Sequence, residues 1–214
     1  MTTAARHVLE PGPIRGLALD KHHRRIPWFV HVDGDGVPDF RVMRAQAMVD
    51  AVQKELCWIC GTRRGNDTVF PIGSMCAVNR VAPEPPSHRM CAIYSAKACP
   101  FLSTPGMRRR PRGLEEVTSD FHLTRNPGVV AIWHTRRWQT FRDPKGIPLW
   151  RVGEPTKVLW FREGRAAARE EVMRSIDTGL PALRETALQQ GQQAVDELEA
   201  QLAAAMKYLP KATA

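Results

Sequence analysis

Two pairs of metal-ligating side chains constrain this chain more than any other feature. Cys57-Trp58-Ile59-Cys60-Gly61 sets two thiols three positions apart, and His88-Arg89-Met90-Cys91 repeats the step with an imidazole and a thiol. Two residues so spaced on a tight turn can face one ion, and a glycine directly after them lets the backbone fold back beneath the sulfurs. In Pro85-Pro86-Ser87-His88-Arg89-Met90-Cys91, Ser87 has the residue type of a helix N-cap, which places His88 and Cys91 in the first helical turn, on one side. The intervening TVFPIGSMCAVNRV reads as short strands around a glycine, so the expected order is knuckle, hairpin, helix.

The chain holds five cysteines, an odd number that suits metal ligation better than a disulfide framework. Cys76, in the expected hairpin, competes with His88 for a place at the ion. Cys99 lies eight residues beyond Cys91, about 12 Å along a straight helix, too far to share an ion with it. The metal-free alternative packs all five as small apolar core groups.

The knuckle, hairpin and helix of residues 57 to about 100 resemble the treble-clef class of zinc fold. That resemblance implies a structural zinc held by Cys57, Cys60, His88 and Cys91, with a closed coordination sphere that leaves no position for a reacting water. Some treble clefs are HNH-type nucleases with a histidine base in the hairpin. This hairpin contains Asn79 and no histidine, so His122 and Asn126 would have to fold back to the knuckle to serve. The whole chain has a faint resemblance to uncharacterised bacterial and phage-borne zinc-containing proteins, which brings no named function.

The net charge is +9, and it is uneven: residues 1–162 carry 25 Lys/Arg against 14 Asp/Glu, the remainder 6 against 8. Such a surplus favours a polyanionic partner, DNA or RNA, or an acidic protein surface. Arginines outnumber lysines 24 to 7, which a GC-rich coding sequence would also produce. The candidate phosphate contacts are Arg24 and Arg25 in the first segment, Arg108, Arg109, Arg110 and Arg112 in a basic run, and Arg136 and Arg137 near a sheet. No apolar run is long enough to span a bilayer and the first residues lack a secretory layout, so a cytoplasmic protein without membrane association is expected.

The expected fold class is α+β. Residues 1–27 read as a basic extended arm, and 28–56 as a hairpin around Asp33-Gly34-Asp35-Gly36 followed by a helix with Ala47, Val49 or Ala51, Val52 and Leu56 on its spacing. Residues 57–105 form the treble-clef-like module, 106–127 a basic linker, and 128–162 a small antiparallel sheet turning at Asp143-Pro144-Lys145-Gly146. Residues 163–214 read as two C-terminal helices. The first stops at Gly179 and Pro181; the second places Leu188, Val195, Leu198, Leu202, Met206 and Leu209 near heptad spacing, for a homodimer seam or for packing on its own domain.

In the sheet region, Trp133, Trp138, Phe141, Trp150 and Trp160 alternate with Arg136, Arg137, Arg142, Arg151 and Arg162. Core tryptophans with arginines on the opposite face explain this pattern, and so does a platform for stacked bases. No phosphate loop, dinucleotide fingerprint or nucleophile elbow occurs. Asp39, Asp143 and Lys145 make only a loose nuclease triad, and His134 reads as an exposed strand residue. The functional expectation is a non-enzymatic, zinc-stabilised nucleic-acid-binding protein. The alternatives are a phage or host regulator of an acidic protein partner and an HNH-like nuclease.

Overall fold

A computed structural model describes residues 8–104 and 128–211; Arg108, Arg109, Arg110, Arg112, His122 and Asn126 lie outside the described residues. The first half of the chain runs α1 (Gly12–Arg15), β1 (Val30–Val32), β2 (Pro38–Met43), α2 (Ala47–Gln53), β3 (Thr68–Gly73), α3 (Ser74–Asn79), β4 (Val81–Ala82), β5 (Ser87–His88), α4 (Arg89–Ala98) and α5 (Pro100–Ser103). The second half runs β6 (Val130–His134), β7 (Trp138–Arg142), β8 (Pro148–Val152), β9 (Lys157–Arg162), β10 (Arg165–Ala166), α6 (Arg169–Gln190) and α7 (Gln192–Ala205). This is an α+β fold built on small antiparallel sheets. No helix of the described residues is long and apolar enough to cross a membrane.

A five-stranded sheet in the order β10-β9-β6-β3-β5 forms the centre. Val130-Ala131-Ile132-Trp133 in β6 is buried at every position, the pattern of a strand covered on both faces. Cross-strand register sorts the two faces: Phe70 opposes Trp133, Ile72 opposes Ala131, and Ala131 opposes Trp160. These pack with Val78 of α3, Val172 and Ile176 of α6 and Leu198 of α7. On the other face Val130 opposes Phe161 and Ile132 opposes Leu159. That layer packs with Cys57, Cys60, Cys91 and Ala92, so the cysteine motif lies directly on the sheet.

Several expectations change in physical detail. TVFPIGSMCAVNRV is a strand followed by the helix α3, not a hairpin. Ser74 to Val78 are all buried, and the Ser74 hydroxyl meets that of Ser175 at 2.8 Å, so tertiary burial decides the conformation of this short segment. The strands of 128–162 do not form one sheet. β7 and β8 join β4 in a separate three-stranded sheet, because the chain bends at Thr135, whose hydroxyl lies 3.0 Å from the carbonyls of both Arg137 and Glu154. Gly153 permits this bend: a Cβ there would stand 2.9 Å from the Arg137 carbonyl oxygen.

Over its described residues, 8–27, the first segment is packed, not extended. Ile14 is fully buried on the cysteine side of the sheet, and Arg24 and Arg25 pair with Asp20 and Glu10 at 2.6 and 2.8 Å. The β1–β2 hairpin forms around Asp33, whose carboxylate accepts the amides of Asp35 and Val37. α2 buries Ala47 and Ala51 and leaves Val49 and Val52 exposed. α6 runs through Gly179 and Pro181 and breaks only at Gly191, which has φ +106°. Gly179 gives α3 its close approach, since a Cβ would lie 2.6 Å from Met75 Sδ, and that packing offsets the hydrogen bond Pro181 forgoes. Val195, Leu198, Leu202, Met206 and Leu209 pack into the chain's own core, whereas Leu188 is exposed.

Glu171 starts α6 by accepting the Ala168 amide at 2.9 Å and pairing with Arg165 at 2.6 Å and Arg162 at 3.2 Å. The Arg165 hydrogen bonds foremost hold its carboxyl down to about 2 from an ordinary 4.5. A depressed folded-state value stabilises above the unfolded value and loses that contribution as pH falls through the folded one. Glu171→Gln should therefore cost about 1 kcal/mol at neutral pH. Thermal melts of the variant should lose less stability than the parent between pH 4.5 and about 2.

Candidate metal centre and basic groove

The knuckle follows α2. The Cys57 amide donates to the Thr62 carbonyl and the Gly61 amide to the Cys57 carbonyl, both at 2.8 Å, which closes a tight loop with two sulfurs on its inner side. Gly61 sits at φ +72°, and a Cβ there would lie 2.2 Å from Trp28 Cδ1. The Trp28 amide donates to the Ile59 carbonyl at 2.8 Å, and the Arg44 guanidinium covers its ring at 3.8 Å. Trp58 points the other way, stacked on Phe29 at 4.6 Å against Ala47 and Ala51. The hairpin and α2 are thus clamped on both sides of the cysteine loop.

The second pair arrives by strand pairing. Ser87 and His88 form β5 opposite Val69 and Thr68. Ser87 is therefore not the N-cap: its hydroxyl is buried with no partner among the described residues, and His88 takes the cap position ahead of Cys91 in the first turn of α4. Pairing also presents the His88 amide to Cys57 Sγ at 3.3 Å. His88 Nδ1 lies 3.4 Å from Cys60 Sγ and 3.8 Å from Cys91 Sγ, and all four ligand atoms lie within 4.8 Å of one another. Two thiolates about 2.3 Å from a tetrahedral zinc stand about 3.8 Å apart, so these residues fit one four-coordinate ion.

The surroundings suit that ion. His88 Nε2 is 3.1 Å from the Arg63 carbonyl, which can only accept; Nε2 therefore carries the proton, and the Nδ1 lone pair is left to accept a thiol proton or to ligate an ion among the sulfurs. Thr62 Oγ1 supports Cys60 Sγ at 3.2 Å. The thiols split in acidity: hydrogen bonding from Cys57, then Cys91, holds Cys60 far below the ordinary thiol range, while facing Cys60 pushes Cys57 up and facing Cys57 pushes Cys91 far up. One thiolate held by two neighbouring protons is a site where a divalent cation can take the place of those protons.

Cys76 does not compete. It belongs to the core on the opposite face of the sheet, where burial pushes its thiol up to about 12. Cys99 is the residue after α4 and is no part of the cluster. Among the described residues this is the one gathering of three or more such side chains. Asp39 pairs with Arg41, and Asp143 caps its own turn through the Lys145 and Ile147 amides; neither belongs to a group of three or more metal-ligating side chains among the described residues. His134 is mostly buried and lies 3.6 Å from Asp67, contrary to the expected exposed position.

A second feature lies on the far side of the sheet. β7, β8 and α7 bound a groove of about 880 Å³, with Arg136, Arg137, Trp138, Gln139 and Arg151 on its sheet side. Arg24, Arg25, Arg41, Arg44, Arg80, Arg162, Arg165 and Arg184 are paired with carboxylates. Arg136, Arg137 and Arg151 are exposed and enter no ion pair among the described residues. Trp133, Trp150 and Trp160 are core, leaving Trp138 half-buried at the groove, edge-on to Phe70. Arg151 opposes Gln139 in the β7–β8 ladder and lies 5.7 Å from the Phe141 ring, so it borders the groove from the face opposite Trp138 and Val152, a placement that spacing alone does not specify. Compared with known proteins, the chain matches no family model, no curated protein and no solved structure.

Elemental analysis of the purified chain should return one divalent ion per chain. Cys91→Ser should abolish it, and Cys76→Ser should leave it intact. Gly61→Ala, forced into a left-handed backbone under Trp28, should cost about 1–3 kcal/mol in denaturant unfolding.

Proposed function

We propose that the ion is a structural zinc and that the chain is a non-enzymatic nucleic-acid-binding protein. Three thiols and one imidazole are a zinc donor set, and four protein ligands close the sphere against a reacting water. The order of knuckle, antiparallel β3–β5 pair and α4, with α3 and β4 between the paired strands, supports reading the module as treble-clef-like.

The observation that carries nucleic-acid binding is the unpaired set Arg136, Arg137 and Arg151 around one groove, in a chain of net charge +9. Guanidinium groups without carboxylate partners keep their donors for phosphate. Arg24 and Arg25 spend theirs on Asp20 and Glu10, so they contribute less. An acidic protein surface would use the same three arginines and is the competing partner. A metal-dependent nuclease would need a second ion-binding cluster, and no second group of three or more metal-ligating side chains is gathered among the described residues.

Labelled DNA and RNA should bind with an affinity whose logarithm falls linearly with that of salt. Replacing Arg136, Arg137 and Arg151 together by Ala should flatten that slope by about 2. Absence of binding to either nucleic acid near 50 mM salt would overturn the reading and direct the search to acidic proteins.

A further inference from the structure

The groove is electrostatically one-sided. Its β7 wall carries the unpaired Arg136 and Arg137, with Arg151 at its border, whereas its α7 wall carries Glu197, Ala200, Gln201 and Ala204. Glu197 is exposed and holds the Gln201 amide at 3.0 Å. Between the walls, Glu154 is neutralised: Arg80 reaches it at 3.3 Å, and the Tyr208 hydroxyl donates to it. Arg80 is in turn held above the Trp133 ring at 4.6 Å. The groove therefore offers cations along one side, an amide and a carboxylate along the other, and the half-buried Trp138 on the basic side.

A duplex presents phosphates on both of its strands, and sequence-reading proteins meet it with a protruding helix or ribbon. A single strand presents phosphates along one edge and bases along the other. Only the latter matches a concavity with cations on a single wall, because a second phosphate line would face Glu197. Gln139 on one wall and Gln201 on the other supply both donors and acceptors to base edges.

Resting on the nucleic-acid reading above, we propose that the groove binds a single strand. Its phosphates lie against Arg136 and Arg137, and its bases turn towards α7 with one stacked on Trp138. Glu197 acts as a selector against duplex.

The test is fluorescence anisotropy of a short labelled single strand and of its duplex, with the zinc-loaded full-length chain at about 50 mM salt. The single strand should bind more tightly, and Trp138→Leu, which keeps apolar packing on Phe70, should weaken it roughly 10-fold. Because a substitution at Trp138, which packs on Phe70, can also disturb the fold, Glu197→Lys on the exposed face of α7 provides the second measurement. It should raise duplex affinity more than single-strand affinity. Equal gains for both forms, or a duplex that binds the parent chain as tightly as the strand, would overturn the one-sided groove while leaving nucleic-acid binding standing. No binding of either form would overturn both readings together, and an acidic protein would then be the occupant to seek.

Discussion

Three buried thiols and an imidazole facing one another are a poor arrangement for a core unless a positive charge sits among them. In this chain Cys57, Cys60, His88 and Cys91 converge beneath the central sheet. The loop at the knuckle, the pairing of β5 with β3 and the start of α4 all serve that convergence. The remainder of this side of the molecule follows from it: the hairpin and α2 dock on Trp28 and Trp58, which flank or occupy the cysteine loop. Truncating a buried ring of this kind typically costs about 3–5 kcal/mol, comparable with a large part of a domain's stability. Ligand geometry and apolar packing therefore support the same loop.

How much of this was legible in the sequence depended on how local the determining interaction is. The donor spacing, the Asp33 to Gly36 hairpin and the Asp143 to Gly146 turn depend on residues a few positions apart, and all three read directly. α3 did not, because its conformation is decided by burial under α6, with Ser175 and Gly179 a hundred residues away. Ser87 looked like a cap because its residue type is right for one. Pairing with Val69 claimed it for a strand, and no sequence signal for that pairing precedes the fold. Gly179 and Pro181 have the form of a stop signal, yet the glycine serves close packing and the true break is Gly191.

The tryptophans show the same division. Trp133, Trp150 and Trp160 supply core, as an apolar face predicts, and only Trp138 remains at the surface groove. The arginines separate by partnership more than by position. Arg24 and Arg25 lie in the most basic-looking stretch of the described chain, but nearby carboxylates occupy them. Arg136, Arg137 and Arg151 enter no ion pair among the described residues. Charge counted along a sequence records supply, whereas the structure records what is still uncommitted.

The cysteine-bearing layer and the central sheet have one apolar interior between them. Val69, Val130, Ile132 and Phe161 touch the same cluster as Cys57, Cys91, Ala92 and Ile14. A boundary drawn around the ligands, at residues 57 to 105, would cut through that interior and leave both halves with a raw greasy underside. The region is better regarded as the inseparable roof of the sheet than as a portable finger: excising or transplanting it would require carrying the strands beneath it as well.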